Sequence, residues 1–163
     1  MKKLPLILFT FLLLSVACSS VDCPVENVVA TVYGLKKADG RPDTLNDTLS
    51  VIIRNIKGKD TALVDQIVST TKFQLPIGNN NPEDTLLFLV EDKAGNSYRD
   101  TLYVKKENKP IFESIECKIS YFHTITGVRL SSHNIIDSVS IVKSAVNYDL
   151  SSEHFYIYFR ANR

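Results

Sequence analysis

The chain has 163 residues, with 19 lysines and arginines against 18 acids and a formal charge of +1, so it lacks the basic surplus that a nucleic-acid partner calls for. Hydrophobic residues make up 44 %, with seven tyrosines, eight phenylalanines and no tryptophan, a composition that folds into a core and does not describe a disordered tail. The length suits one domain.

Met1, Lys2 and Lys3 precede an apolar run from Leu4 to Ala17, broken only by Pro5, Thr10 and Ser15. This is the layout of a secretory signal peptide, and it is too short for the roughly 20 apolar residues a membrane-spanning helix needs. Residues 1–17 are therefore predicted to be removed. The junction Leu14-Ser15-Val16-Ala17-Cys18 resembles the bacterial lipobox, with its leucine one position further back than usual. The resemblance implies that Cys18 is acylated and becomes the new N-terminus, joining the chain to the membrane through lipid. An ordinary signal peptide with a cysteine at its cleavage site is the alternative.

Cysteine number bears on this choice. The chain has three, Cys18, Cys23 and Cys117, and an exported protein with three leaves one over. With Cys18 acylated, Cys23 and Cys117 remain as an even pair. The rival pairing, Cys18 with Cys23, closes a trivially short loop and strands Cys117. Residues 18–26 read as a lipidated tether and residues 27–163 as the folded domain. Removing residues 1–17 takes away two lysines and no acid, so the domain stays near neutral and lipid, not charge, would hold it at the membrane.

The rest of the chain reads as strands joined by polar turns. Val28, Ala30 and Val32 alternate with Val29, Thr31 and Tyr33. Residues 36–47, KKADGRPDTLND, collect Gly, Pro, Asp and Asn and read as a mobile loop. A strand is predicted over Thr48 to Ile56, with a turn at residues 57–60. For Thr61 to Thr71, strand, turn, strand is favoured over a short helix, because the segment holds three threonines and little capping signal. Pro76 then marks a strand end or an edge.

Asp84 to Lys106 is the clearest unit, two strands around Asp92-Lys93-Ala94-Gly95-Asn96. Gly95 and Asn96 are predicted to supply the positive φ of a tight hairpin and Asp92 to bond its amides. This stretch resembles the D-x-A-G-N hairpin of bacterial immunoglobulin-like domains. Pro110 to Phe122 is read as one long strand placing Ile111, Ile115, Cys117, Ile119 and Tyr121 on the core face. Ile135 to Val142 and His154 to Arg160 supply two more strands. About eight or nine strands at this spacing predict an all-β fold, a single antiparallel, immunoglobulin-like β-sandwich.

Taken together, Cys18, Asp22-Cys23, "LPIG" at Leu75, "RDTLYV" at Arg99, "SIECKISYF" at Ser114 and "EHFYIYF" at Glu153 resemble a family of small outer-membrane lipoproteins of the Bacteroidota. The resemblance implies a place in the cell envelope, a Cys23–Cys117 disulfide and association with an outer-membrane β-barrel. It implies no substrate, and the single acid between Cys18 and Cys23 leaves both the periplasmic and the surface face open.

Candidate chemistry is sparse. His123, His133 and His154 could gather a metal, and Asp39, Asp43, Asp47 and Asp84 could offer oxygen ligands, yet their spacing matches no metal motif, so neither metal nor cofactor is expected. Ser140 and Lys143 satisfy S-x-x-K, but on a strand residues three apart project to opposite faces. No catalytic set is predicted. Tyr156 and Tyr158 should face outward if Phe155, Ile157 and Phe159 face the core, and with Tyr103 they form a candidate binding surface. The function expected is a non-enzymatic envelope lipoprotein acting as an interaction subunit, with a glycan- or Ca²⁺-binding module as the alternative.

Overall fold

The computed structural model describes residues 28–54, 60–115 and 117–160. The predicted signal peptide, tether, Cys18, Cys23 and most of the turn at residues 57–60 lie outside them. Ten strands form among the described residues: β1 (Ala30–Lys36), β2 (Thr48–Ile53), β3 (Thr61–Ile67), β4 (Lys72–Pro76), β5 (Glu83–Glu91), β6 (Ser97–Ile111), β7 (Ser120–Leu130), β8 (Ile136–Ile141), β9 (Ala145–Val146) and β10 (Phe155–Phe159). They build two sheets, β4-β1-β10-β8 and β3-β2-β5-β6-β7-β9. The expectation of an all-β sandwich holds, with slightly more strands than predicted and one parallel pair, β1 with β10.

The core lies between the sheets. Period-two alternation on β5 sends Leu86, Phe88 and Val90 inward, and on β6 it sends Leu102 and Val104 inward. The four-stranded sheet supplies Tyr33, Leu35, Phe73, Leu75, Phe155 and Ile157. Tyr33 stacks between Phe73 at 5.2 Å and Phe155 at 4.8 Å, while Phe73 meets Phe88 of the other sheet at 6.2 Å. These rings tie the two layers together.

Thr61–Ile67 is a strand and not a helix, as favoured, but the second strand expected before Thr71 begins only at Lys72, where β4 is an edge strand ending at Pro76. The hairpin at Asp92 closes as predicted. Asp92 Oδ1 accepts from the backbone N–H of Ala94 at 2.8 Å and of Asn96 at 2.9 Å. Positive φ is needed at Gly95 alone, at +84°, and not at Asn96.

Two readings need correction. Residues 36–47 are a tied segment and not a loose loop: Lys36 bridges Pro42, Leu45 bridges Thr70, and Leu45 is buried in the core. Nor is Pro110 to Phe122 one strand. The chain reverses over residues 112–119, because β6 and β7 pair antiparallel from Ile111 with Ser120 onward. Ile115 and Ile119 are therefore exposed, and Cys117 is half-buried in the connection, not on a core face.

The registers fix which loops share an end of the sandwich. Ala30 pairs Pro76, Asp84 pairs Val104, and Gly78 N–H donates to Asp84 Oδ2 at 3.1 Å. The start of β1, the end of β4, the start of β5 and the β6–β7 connection thus lie at one end, called proximal here because the chain enters β1 there. Lys36 pairs Tyr158 and Thr48 pairs Glu91. Residues 37–47, the turn at residues 92–96 and the end of β10 therefore lie at the opposite, distal end, about 20 Å away for a strand of this length.

Candidate functional site

A groove of about 1100 Å³ opens at the distal end. Its walls come from three separate stretches: Lys37 and Asp43 of the tied segment, Asp137 and Ser138 of β8, and Tyr158 and Arg160 at the end of β10. Local structure brings them together. Arg41 N–H and side chain both bond Asp39, at 3.0 and 2.7 Å, and Gly40 at φ +82° turns the segment back toward the sheet. Ser138 is the register partner of Tyr158, so their side chains share the outer face of the four-stranded sheet. Two cations, two carboxylates, hydroxyls and two aromatic rings, Tyr158 and Phe159, line the groove.

The three tyrosines of the predicted surface are separated by the fold. Tyr156 and Tyr158 lie on β10 of the four-stranded sheet, Tyr103 on β6 of the six-stranded one. Their outer faces point away from each other, so Tyr103 does not join the ladder. The Arg129 guanidinium sits 3.4 Å above the Tyr103 ring, held by Glu83 at 3.1 Å, which makes a cross-strand stack. Lys36 similarly covers Tyr156 at 4.6 Å. Tyr158 is the member of the three that lines the groove.

A protein-family model matches residues 48–159, from β2 to the end of β10, described as a family of unknown function, DUF6452. The chain belongs to DUF6452. No curated protein and no solved structure matches it. The matched span leaves out β1 and includes both of its partners, β4 and β10.

In this DUF6452 domain the histidines do not converge. His133 is exposed and bonds the Asp137 carbonyl at 2.8 Å. His123 is buried, its Nδ1 2.8 Å from Asn108 Oδ1. His154 is fully buried, and its Nδ1 accepts from Val32 N–H at 3.0 Å, which fixes the proton of the neutral ring on Nε2. The aspartates are equally scattered. Asp39 is paired with Arg41, Asp43 faces the groove and Asp84 is buried beside Lys106. Among the described residues no group of three or more His, Cys, Asp or Glu is placed to hold a metal. Ser140 lines the groove, while Lys143 pairs with Asp149 at 2.7 Å, so the S-x-x-K pair is not assembled.

The two buried histidines carry a pH prediction. Burial lowers the pKa of His123, helped by the nearby Lys106 charge and opposed by Asp84. Burial likewise lowers His154, with Lys143 adding to it and the Ala145 backbone and Asp149 opposing. Unfolding frees both rings to protonate near pH 6.5, so below that pH the unfolded chain binds more protons and stability falls as pH falls. Denaturant titrations at pH 7.5 and 5.5 are expected to show a loss of up to about 1.4 kcal/mol for each histidine, part of it absent in a His154→Asn variant. A flat profile over that window would show that both rings protonate freely in the folded state.

Sequence reasoning missed two buried charges that organise the fold, Lys106 and Asp100. Both fall on the inward-facing set of β6 with Leu102 and Val104. That alternation was the available signal, since a charge on an apolar face must be paired or hydrogen-bonded.

Proposed function

We propose that this DUF6452 domain is a non-enzymatic, lipid-anchored cell-envelope protein that presents its distal groove to an envelope partner, such as an outer-membrane β-barrel. In this reading Cys18 carries the lipid and Cys23 pairs with Cys117. One observation carries it: the chain enters β1 at the same end as the β6–β7 connection holding Cys117, while the groove opens at the other. A lipid anchor at Cys18 would then hold the proximal end toward the bilayer and leave the groove free for a partner. Cys117 is disulfide-bonded, which fits a tie to the tether. The buried ionisable groups Asp84, Asp100, Lys106, His123 and His154 each engage structural neighbours and line no part of the groove.

Intact-mass measurement of the membrane-extracted chain, with and without reduction, is the direct test of the anchor. The expected species begins at acylated Cys18 and gains two mass units on reduction; a mature form starting elsewhere overturns the anchor. Affinity capture from solubilised membranes tests the partner. The wild-type chain is expected to bring down one envelope protein and a Tyr158→Ala, Arg160→Ala variant to lose it, whereas consistent recovery of the wild-type chain alone overturns the interaction role.

A second reading, binding of a neutral glycan, is favoured by the groove's make-up. Lys37 and Arg160 balance Asp43 and Asp137, so a strongly charged ligand meets repulsion, while hydroxyls and the Tyr158 ring suit a polyhydroxylated one. Calorimetry of the full chain with a glycan panel and with Ca²⁺ separates the readings, and the absence of heat for every compound removes this one.

A further inference from the structure

Four of the seven large apolar side chains that stand exposed among the described residues gather at the proximal end. Phe112 is 74 % exposed, Ile119 47 % and Ile115 fully exposed, all in the β6–β7 connection, and Val28, 58 % exposed, precedes β1. The connection is held outward and not folded back onto the core. From Lys106 to Ile111, β6 runs beyond the start of β5 and pairs with β7. At the base of the arm Phe122 meets Tyr148 edge-on at 4.9 Å, and Tyr148 O–H donates to Glu113 at 2.7 Å. Lys109 and Lys118 flank the tip, both exposed.

We propose that this tip contacts the lipid bilayer, with Phe112, Ile115 and Ile119 in the interfacial region and Lys109 and Lys118 level with the headgroups. The inference rests on the lipid anchor proposed above, because the anchor sets the distance. From Cys18 to Cys23 the extended chain reaches at most about 17 Å, and a disulfide places its two Cα atoms about 6 Å apart. Cys117 therefore sits within about 23 Å of the acylated residue. Since β1 also starts at this end, an arm projecting from the proximal end points its apolar tip at the membrane that holds the lipid. Aromatic and aliphatic side chains bordered by lysine are the residues that settle at such an interface, the lysine stems lying along the apolar region while their ammonium groups stay in water. A bilayer within reach of the tether accounts for apolar exposure that would otherwise be a liability in an exported domain.

The chain contains no tryptophan, so a single one introduced by substitution reports without background. Full-length acylated protein carrying Phe112→Trp is reconstituted into phosphatidylethanolamine and phosphatidylglycerol vesicles with brominated acyl chains, alongside Ala94→Trp in the exposed turn at the distal end. Phe112→Trp is expected to be blue-shifted and quenched at least twofold by the bromolipid; Ala94→Trp is expected to respond to aqueous iodide alone. Equal bromolipid quenching of the two, in protein that still floats with the vesicles, overturns the tip while leaving the anchor in place. Blue-shifted emission at Phe112→Trp without bromine quenching means that protein covers the tip and also overturns it. Protein that fails to float overturns the anchor and this proposal with it.

Discussion

Replacing Lys106 with methionine is expected to cost about 3 to 5 kcal/mol of unfolding free energy, a large part of what holds a domain of this size together. Lys106 follows Leu102 and Val104 on the inward face of β6, and its side chain is fully buried. Its ammonium lies 2.6 Å from Asp84 Oδ1, an ionic contact whose angles fall outside those of a regular hydrogen bond. Asp84 is 7 % exposed and also accepts from Gly78 N–H. That approach needs a glycine, since a Cβ on residue 78 would sit 2.9 Å from Asp84 Oδ1. Removing the cation leaves a carboxylate in the core with one amide for company, and the penalty is that of an uncompensated buried charge. The pair itself is worth much less than its rupture costs. An Asp84→Asn, Lys106→Met double variant keeps an acceptor for Gly78 and removes both charges, so it is expected to regain most of the loss. Urea titration of the two variants at one pH decides the matter: equal stability of single and double variants would mean that no coupling links the charges.

The sheets were legible where alternation ran between a fixed core and solvent. Leu86, Phe88 and Val90 alternate with residues that are not fully buried, and the turn chemistry of Asp92 and Gly95 dates the reversal to within a residue. The same rule misplaced Ile115 and Ile119, because period two tells which residues share a face without telling where a strand stops. Leu45 was hidden among turn-forming neighbours, though it fills the core by crossing to Thr70. Lys106 reads as a strand-end lysine, and lysine at a strand end is ordinarily exposed. Only the position of the neighbouring strand, which presents Asp84 to it, turns that residue inward with a partner. The groove was legible in one residue, Tyr158. Its other walls lie far away in sequence and meet because β1 pairs parallel with β10, joining the chain's beginning to its end. No local pattern announces a parallel pairing of that range. The groove stands at the end of the sandwich opposite the start of β1.

Asp100 links this stability argument to the groove. Its carboxylate accepts from Ser132 Oγ at 2.6 Å and from the backbone N–H groups of Asn134 at 3.0 Å, Ile135 at 2.9 Å and Ile136 at 2.8 Å. It therefore holds the chain as it crosses from β7 in one sheet to β8 in the other. Burial opposes its ionised form, yet the bonds from Ile136, Ser132, Asn134 and Ile135 together keep its pKa below the ordinary aspartate value. Asp100→Ala removes the acceptor of three amides and is expected to cost about 3 to 5 kcal/mol, at about 1 to 3 kcal/mol for each buried group left unpaired. Asp100→Asn is no conservative change, because one oxygen is replaced by an amide donor facing other donors. The pH dependence identifies the cause. A depressed aspartate stabilises above its unfolded value near 3.9 and loses that contribution only as pH falls through its lower folded value. The deficit of Asp100→Ala should thus be the same at pH 7.5 and 5.5, although both proteins weaken over that interval as the buried histidines exert their effect. A deficit that shrinks by half across it would show that the carboxylate is not ionised in the folded state. Because Ile136 opens β8 and the next two residues, Asp137 and Ser138, wall the groove, amide exchange in Asp100→Ala should rise first at residues 134–138. Loss of partner or glycan binding would then accompany the loosening at a temperature where the rest of the sandwich remains folded.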